Sequence, residues 1–390
     1  MERKKPKVTK KTIILPLIGI LAFFLYIYLF NVDVLNIIQT AQDAEPAPYV
    51  VAVIISFAEI LFYSLSWKSI LDSLSVKLSL AKSYIFVMYA MFMDILIPAE
   101  SVSGEICRVY LVNREQCGTG GKVVASLVIF RLLSMVMNIL FLLLGAALLF
   151  QVTHIDPLIL NIIQLFVVGI SVLLILLLIL CWKENWSLRI INGVVRIGEF
   201  ISRGRWNLQK VRQSACNAAS VFHGSMKDIM RNPKKLAIPI FYLSLNWIAS
   251  MSIPYLVFLS LRFPVSWGVI FVTTSIVIAV KSIPVGVPFE VGLPEIAMTT
   301  VYAALGVPPE IAATSTVLSR LITLWLRFGV GFAAYQWTEI KAAMPQGSKS
   351  PSNETAGIIS RGNDKQAEYL KDCKVERTNE KTCNAFHCMS

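Results

Sequence analysis

The chain has 390 residues, 56% of them hydrophobic and only 15% charged, with a mean hydropathy of +0.65 and a formal net charge of +12. Soluble domains carry roughly 25% charged residues and can bury one wholly apolar helix but not a series of them, so a soluble enzyme is excluded. The positive balance would suggest nucleic acid in a soluble protein. Here the basic residues crowd particular loops, which is the positive-inside pattern of membrane proteins, and no nucleic-acid partner is expected.

A membrane span needs about 20 consecutive apolar residues. The first such run is Thr12–Phe30, behind the basic start MERKKPKVTKK. It is longer than a signal-peptide core and lacks a small-residue cleavage site before Asn31, so a retained span with its N-terminus inside is expected. The loop Asn31–Pro48 holds Asp33, Asp43 and Glu45 but no Lys or Arg, and is placed outside. A second span, Tyr49–Trp67, returns inside, where Trp67 and Lys68 mark the interface. The apolar stretch Ser83–Ile97 then has basic residues on both flanks: Lys77 and Lys82 before it, Arg108, Arg114 and Lys122 after it. A segment that enters and leaves on one side is a re-entrant hairpin, its tip expected at Pro98 and the polar string up to Gly104 and Glu105.

Spans three and four are expected over Val123–Phe150 and Leu158–Trp182, joined outside by a loop with His154 and Asp156. The segment Lys183–Lys235 contains eleven Lys or Arg. It reads as a cytoplasmic stretch of amphipathic surface helices meeting anionic lipid. Span five is Leu236–Leu261, with kinks expected at Pro239 and Pro254. Trp267–Ile283 runs into a second tip, with Pro284, Gly286, Glu290, Gly292 and Glu295, and Ile296–Pro309 has no basic residue. This second hairpin is expected to enter and leave from outside. Span six, Glu310–Trp337, ends inside at Lys341.

The fold class is therefore all-α: a polytopic helical membrane protein with about six full spans plus two re-entrant helical hairpins, both termini cytoplasmic, in the cell membrane. Residues 1–341 form the membrane domain, with the basic segment 183–235 inside it. Residues 342–390 are polar and read as a disordered cytoplasmic tail. Seven cysteines, an odd number in no dense loop, read as reduced thiols. Cys373, Cys383, His387 and Cys388 fit no zinc spacing, so neither metal nor cofactor is expected. No phosphate-binding glycine loop and no Ser–His–Asp set occurs.

The two hairpins resemble each other. Ile97-Pro98 matches Ile283-Pro284, and Gly104 and Glu105 correspond loosely to Gly292 and Glu295. From Glu105 to Arg131 is 26 positions and from Glu295 to Arg320 is 25. Two like units of opposite orientation are the inverted-repeat plan of many transporters, whose broken helices meet at the bilayer midplane.

The residues that cost most in lipid lie beside these hairpins. An Arg at mid-span costs on the order of 2.5–3.5 kcal/mol on insertion scales. Helical spacing puts Arg131, Ser134 and Asn138 on one face, and Arg320, Thr323 and Arg327 on another. Arg108 and Lys281 add positive charge; Glu105, Glu290 and Glu295 supply the opposite sign. One reading is that Arg–Glu pairs lock each hairpin to its neighbouring helix. The other is a cavity in which guanidinium groups grip an anionic lipid headgroup, since Arg matches phosphate oxygens in bidentate fashion. Glu59 and Asp94 are lone acids for which satisfied burial is the simpler reading.

The blocks ILIPAESVSGEICRVYLVNRE with ASLVIFRLLSMV, and IPVGVPFEVGLPEIAMTTVYAALGVPPEIAATSTVLSRLITLW, carry a family resemblance. Over roughly Lys11–Lys341 the chain resembles the flippase-like transmembrane region of lysylphosphatidylglycerol synthases and its stand-alone relatives. The first block departs at Ala99-Glu100, where a glycine is often found. The resemblance implies a lipid-handling membrane domain with two re-entrant hairpins. The soluble aminoacyl-transfer domain of bifunctional relatives is not expected here, so the synthase activity is not carried over. The function expected is translocation of a phospholipid or polyprenyl-phosphate-linked lipid between leaflets, by the chain alone or as a homo-oligomer. Two rivals stand beside it: an intramembrane lipid-linked group transferase, and a non-catalytic scaffold for a lipid- or glycan-synthesis enzyme.

Overall fold

A computed structural model describes residues 39, 42–97, 102–116, 119–152, 157–182, 209–281 and 292–343. Every regular element among them is helical. Pro46 opens α1 (Pro46–Ser73) at the first helical position, where a missing N–H costs nothing. The helix ends where Ser75 takes a left-handed φ of 61° and Val76 N–H returns to the Leu71 carbonyl. Ser79 caps α2 (Leu80–Leu96) through Lys82 N–H. Then follow α3 (Val102–Glu115), the long α4 (Gly120–Val152), α5 (Pro157–Trp182) and α6 (Gln209–Arg231). A single 3₁₀ turn, Pro233–Leu236, leads into α7 (Ala237–Ser260). The remainder is α8 (Trp267–Lys281), α9 (Leu293–Ala304), α10 (Pro309–Arg320), a π-helical turn (Leu321–Leu326) and α11 (Arg327–Ala343).

Five segments are long and apolar enough to cross a membrane: Pro46–Ser73, Gly120–Phe150, Asn161–Ile179, Pro233–Ser260 and Pro309–Lys341. They coincide with five of the six expected spans, and the chain is a polytopic all-α membrane protein. The first expected span, Thr12–Phe30, lies outside the described residues, as do Pro98, Pro284, Gly286, Glu290 and the tail.

Three local expectations need correction. Pro239 does not interrupt α7: it is the helix's third residue, in the first turn, and the proline inside the helix is Pro254. Gly104 is not a hairpin tip, because α3 begins two residues earlier, at Val102. It is a close-contact residue, with the Ala90 carbonyl 2.7 Å from where a Cβ would stand and the Asp94 carboxylate closer still. The face shared by Arg320, Thr323 and Arg327 is broken by the π turn between the two arginines. A π turn adds one residue to an α-helix, about 100° of rotation, so the arginines reach different neighbours.

The packing has an internal correspondence. α1 packs along α7, α2 and α4; α7 packs along α1, α8 and α10. α2 pairs with α3 as α8 pairs with α9, and α3 meets α4 as α9 meets α10. The long helices cross over: α4 lies against α8, while α11 lies against α2. Both crossings rest on glycine. A Cβ on Gly145 of α4 would stand 2.7 Å from Phe271 Cβ, and one on Gly268 of α8 would stand 2.9 Å from Leu149. A Cβ on Gly331 of α11 would stand 2.8 Å from the Met88 carbonyl of α2. Small residues let helix backbones approach where water cannot drive association.

Contacts at the helix ends sort the bundle into two poles. At one, Lys82 at the start of α2 pairs with Glu115 at the end of α3, Gln116 Nε2 donates to the Lys77 carbonyl, and Arg114 approaches Glu339 of α11 at 3.7 Å. Ser73, ending α1, reaches the Lys235 carbonyl at 3.5 Å, before α7. At the other pole, Arg262 after α7 pairs with Glu45 before α1 at 3.0 Å, and Glu45 N–H donates to Ser260 at 2.8 Å. There Trp267, opening α8, stacks on Tyr255 at 4.1 Å, and Tyr302, late in α9, meets Phe258 edge-on at 5.0 Å. The α2–α3 pair thus has its open end at the first pole, and the α8–α9 pair at the second.

Candidate functional site

The closed ends of both helix pairs carry the ionisable residues. In α2–α3, Asp94 Oδ1 accepts Gly104 N–H at 2.6 Å and Ser103 Oγ–H at 2.8 Å. A carboxylate so placed satisfies donors left over at a helix start and meets the positive end of the helix dipole. In α8–α9, Gly292 has φ 104°, a conformation suited to glycine, and its N–H donates to Glu295 Oε2 at 2.6 Å. Glu295 Oε1 accepts from Arg320 Nε. Glu295 is 2% exposed and Arg320 6%, so this ion pair is withdrawn from solvent with both carboxylate oxygens satisfied. Thr299 and Thr316 share a hydrogen bond of 3.2 Å beside it. Glu295 and Arg320 were both expected at the site, and their arrangement is that of a lock between the hairpin and the helix that follows.

Arg327 pairs through Nη2 with Glu59 of α1. Asn246 of α7 donates to the Glu59 carbonyl at 3.0 Å, so one position joins α1, α7 and α11. The closed end of α2–α3 sits on the π turn, with Ile95 and Leu96 against Leu324 and Phe328. Aromatic contacts of Phe92 with Phe328, Phe332 and Tyr335 extend that seam.

Arg108 is 4% exposed. Its Nη1 donates to the Tyr63 hydroxyl at 2.9 Å, and its guanidinium lies over the Tyr63 and Trp67 rings at 5.5 and 5.4 Å, a cation–π arrangement. Trp67 Nε1 in turn donates to Ser126 Oγ of α4 at 3.0 Å. Asp94 and Glu105 are the acids that act on Arg108 electrostatically. The Arg108 Nε is buried with no hydrogen-bond partner, as is the Arg327 Nε.

Arg131 differs from the other arginines. It is half-buried on α4, eleven residues past Gly120, and forms no ion pair or hydrogen bond among the described residues. Asn138, two turns further on, donates to the Ser275 carbonyl of α8 at 3.4 Å. That antiparallel contact, with Gly145 against Phe271 and Val272, carries Arg131 toward the Lys281 end of α8. Glu105, expected as its partner, is half-buried on α3 and makes no ion pair among the described residues.

Glu59, Tyr63 and Trp67 were not connected to the site from the sequence. Their i, i+4, i+8 spacing puts them on one face of α1, and that recurrence was the available signal. Among the described residues no group of three His, Cys, Asp or Glu could hold a metal ion.

Apolar spans surrounding buried arginines and carboxylates at helix-pair tips define a polytopic membrane protein with a polar interior. The chain belongs to the lysylphosphatidylglycerol synthase transmembrane-region family, whose model matches residues 13–331. It is similar to a UPF0104 membrane protein of Pyrococcus horikoshii, at 21% identity over 81% of this chain and 94% of the relative. A UPF0104 membrane protein of Methanocaldococcus jannaschii is 26% identical over 85% and 95%, and one of Methanothermobacter thermautotrophicus 24% over 83% and 94%.

Proposed function

We propose that this protein is a lipid translocase that moves a phosphate-bearing lipid between leaflets. The observation that carries the reading is two helix pairs with open ends at opposite poles and with Asp94 and Glu295 toward their other ends. Each pair is a re-entrant hairpin, and the two units are an inverted repeat, as in transporters that work by alternating access about a central site. The pole holding Lys77, Lys82, Arg114, Lys234 and Lys235 faces the cytoplasm of the cell, by the distribution of basic residues, and α11 ends there.

The lipid headgroup is held between the two helix pairs by Arg131, with Arg108 and Lys281 adding positive charge, while Arg320 and Arg327 hold the surrounding helices through Glu295 and Glu59. Glu105 orients those cations or meets a cationic headgroup substituent. The acyl chains remain in the bilayer, which spares the protein the burial of a long apolar ligand. The test is reconstitution of the purified chain into phospholipid vesicles carrying a trace of headgroup-labelled phosphatidylglycerol. Wild type is expected to expose inner-leaflet label to a membrane-impermeant quencher faster than protein-free vesicles do. The Arg131→Ala variant, folded by its gel-filtration profile, is expected to lose that acceleration. A folded Arg131→Ala variant that moves lipid at the wild-type rate would remove Arg131 from the mechanism.

A further inference from the structure

The two corresponding halves differ in one respect that bears on where a ligand sits. The arginines after the second hairpin are both committed: Arg320 to Glu295, and Arg327 to Glu59. Arg131, which follows the first hairpin, has no partner among the described residues although it lies within the apolar spanning stretch of α4. An arginine eleven residues into such a helix is about 17 Å along its axis, where a lone guanidinium is costly. Either solvent or an anion must balance it. Val124, one face with Arg131 at seven residues' spacing, is exposed, and Val128 and Ser134 are half-buried, so the guanidinium stands where the packed side of α4 gives way to its open side.

A second guanidinium, that of Arg108, is linked to the same stretch of α4 through aromatic rings. The ring of Phe130, adjacent in sequence to Arg131, is 4.4 Å from that of Tyr63, and Tyr63 is the acceptor of Arg108. Arg108 is held by aromatic faces and one hydroxyl, and its Nε makes no hydrogen bond. Buried polar atoms normally find partners, so the bare Nε–H of Arg108 and the unpaired Arg131 are donors available to an anion on this stretch of the bundle.

The geometry points to a division of labour between the two halves: Arg131, backed by Arg108, takes the phosphoryl group of a membrane lipid, whereas Arg320 and Arg327 are positioning residues that lock helices together. This rests on the lipid-handling reading above and deepens it, since a symmetric cavity would use Arg131 and Arg320 alike. The chemistry is that of a phosphomonoester or phosphodiester met by guanidinium donors. A lipid headgroup is favoured over free phosphate because the open side of α4 faces the apolar surroundings of the bundle.

The test uses the full chain in phosphatidylcholine nanodiscs, titrated with phosphatidic acid and, separately, with diacylglycerol of the same chains, with bound lipid counted by native mass spectrometry. Wild type is expected to take up phosphatidic acid and not diacylglycerol. Arg131→Gln is expected to weaken that uptake by about ten- to a hundredfold, the range for losing a charge-assisted contact. Arg131→Lys, which keeps the charge, should recover part of it. The paired variant Glu295→Gln, Arg320→Gln, which removes the lock without stranding a charge, should stay within about threefold of wild type, a change of under one decade in affinity. Equal uptake by wild type and Arg131→Gln overturns the site; loss of uptake in the folded paired variant overturns the division of labour. Inorganic phosphate at millimolar concentration is the last probe. Full displacement of phosphatidic acid by it would keep Arg131 as a phosphoryl site but count against the lipid translocase reading.

Discussion

Glu295 illustrates why single residues in this bundle cannot be judged by charge alone. One oxygen takes the Gly292 amide and the other the Arg320 guanidinium, so the acid caps a helix and neutralises a cation at once. Removing one partner of such a buried pair leaves an uncompensated charge, which costs about 3–5 kcal/mol, whereas neutralising both costs much less. Arg320→Ala is therefore expected to lower thermal stability in detergent sharply, and Glu295→Gln combined with Arg320→Gln to recover most of the loss. Equal destabilisation by the single and paired variants would show that the pair contributes little to the fold. Arg131→Gln is expected to be close to neutral in the same assay, because no counter-ion is stranded.

Whole helices meet through glycine at the two crossings that tie the halves together. Gly145 of α4 has Phe271 and Val272 of α8 against it, and Gly331 of α11 has Met88 and Phe92 of α2. A side chain added there must push two backbones apart, and overpacking of this kind costs about 1–3 kcal/mol. Gly145→Leu should accordingly lower the unfolding temperature, while Gly169→Leu on α5, with nothing within 4 Å of the added Cβ, should leave it unchanged. Matching shifts for both variants would mean that the α4–α8 crossing is not close-packed. The amphipathic α6, read from sequence as a surface helix, packs on α4 and α5 and buries Ala219, His223, Met226 and Ile229. Its apolar face is thus partly spent on the bundle rather than wholly on the membrane.

At the scale of the molecule, the polar contacts at the two poles set a vectorial prediction. In a cysteine-free background, Asp43→Cys is expected to react with a membrane-impermeant maleimide on intact cells. Lys77→Cys and Lys234→Cys are expected to react only after permeabilisation. The first position is near the Glu45–Arg262 pair; the other two are at the pole closed by Lys82 and Glu115. Labelling of all three from outside would overturn this orientation, because α1, which separates Asp43 from Lys77, could then not cross the membrane.

The sequence by itself determined the five spans among the described residues, since about 20 apolar residues in a row have no other home than a bilayer or its equivalent. It also marked Arg131, Arg320 and Arg327 as costly residues and Glu105 and Glu295 as their candidate partners. Which acid meets which arginine was decided only by tertiary structure. Arg327 joins Glu59 rather than a hairpin acid, because the π turn rotates it away from Arg320 and toward α1. Arg108 is enclosed by Tyr63 and Trp67, which lie more than forty positions away in the chain. Periodicity reports the face a side chain occupies on its own helix, but not the rotation and depth of the helix packed against it. Those follow from close packing of glycines and aromatics across the bundle, which no local pattern records.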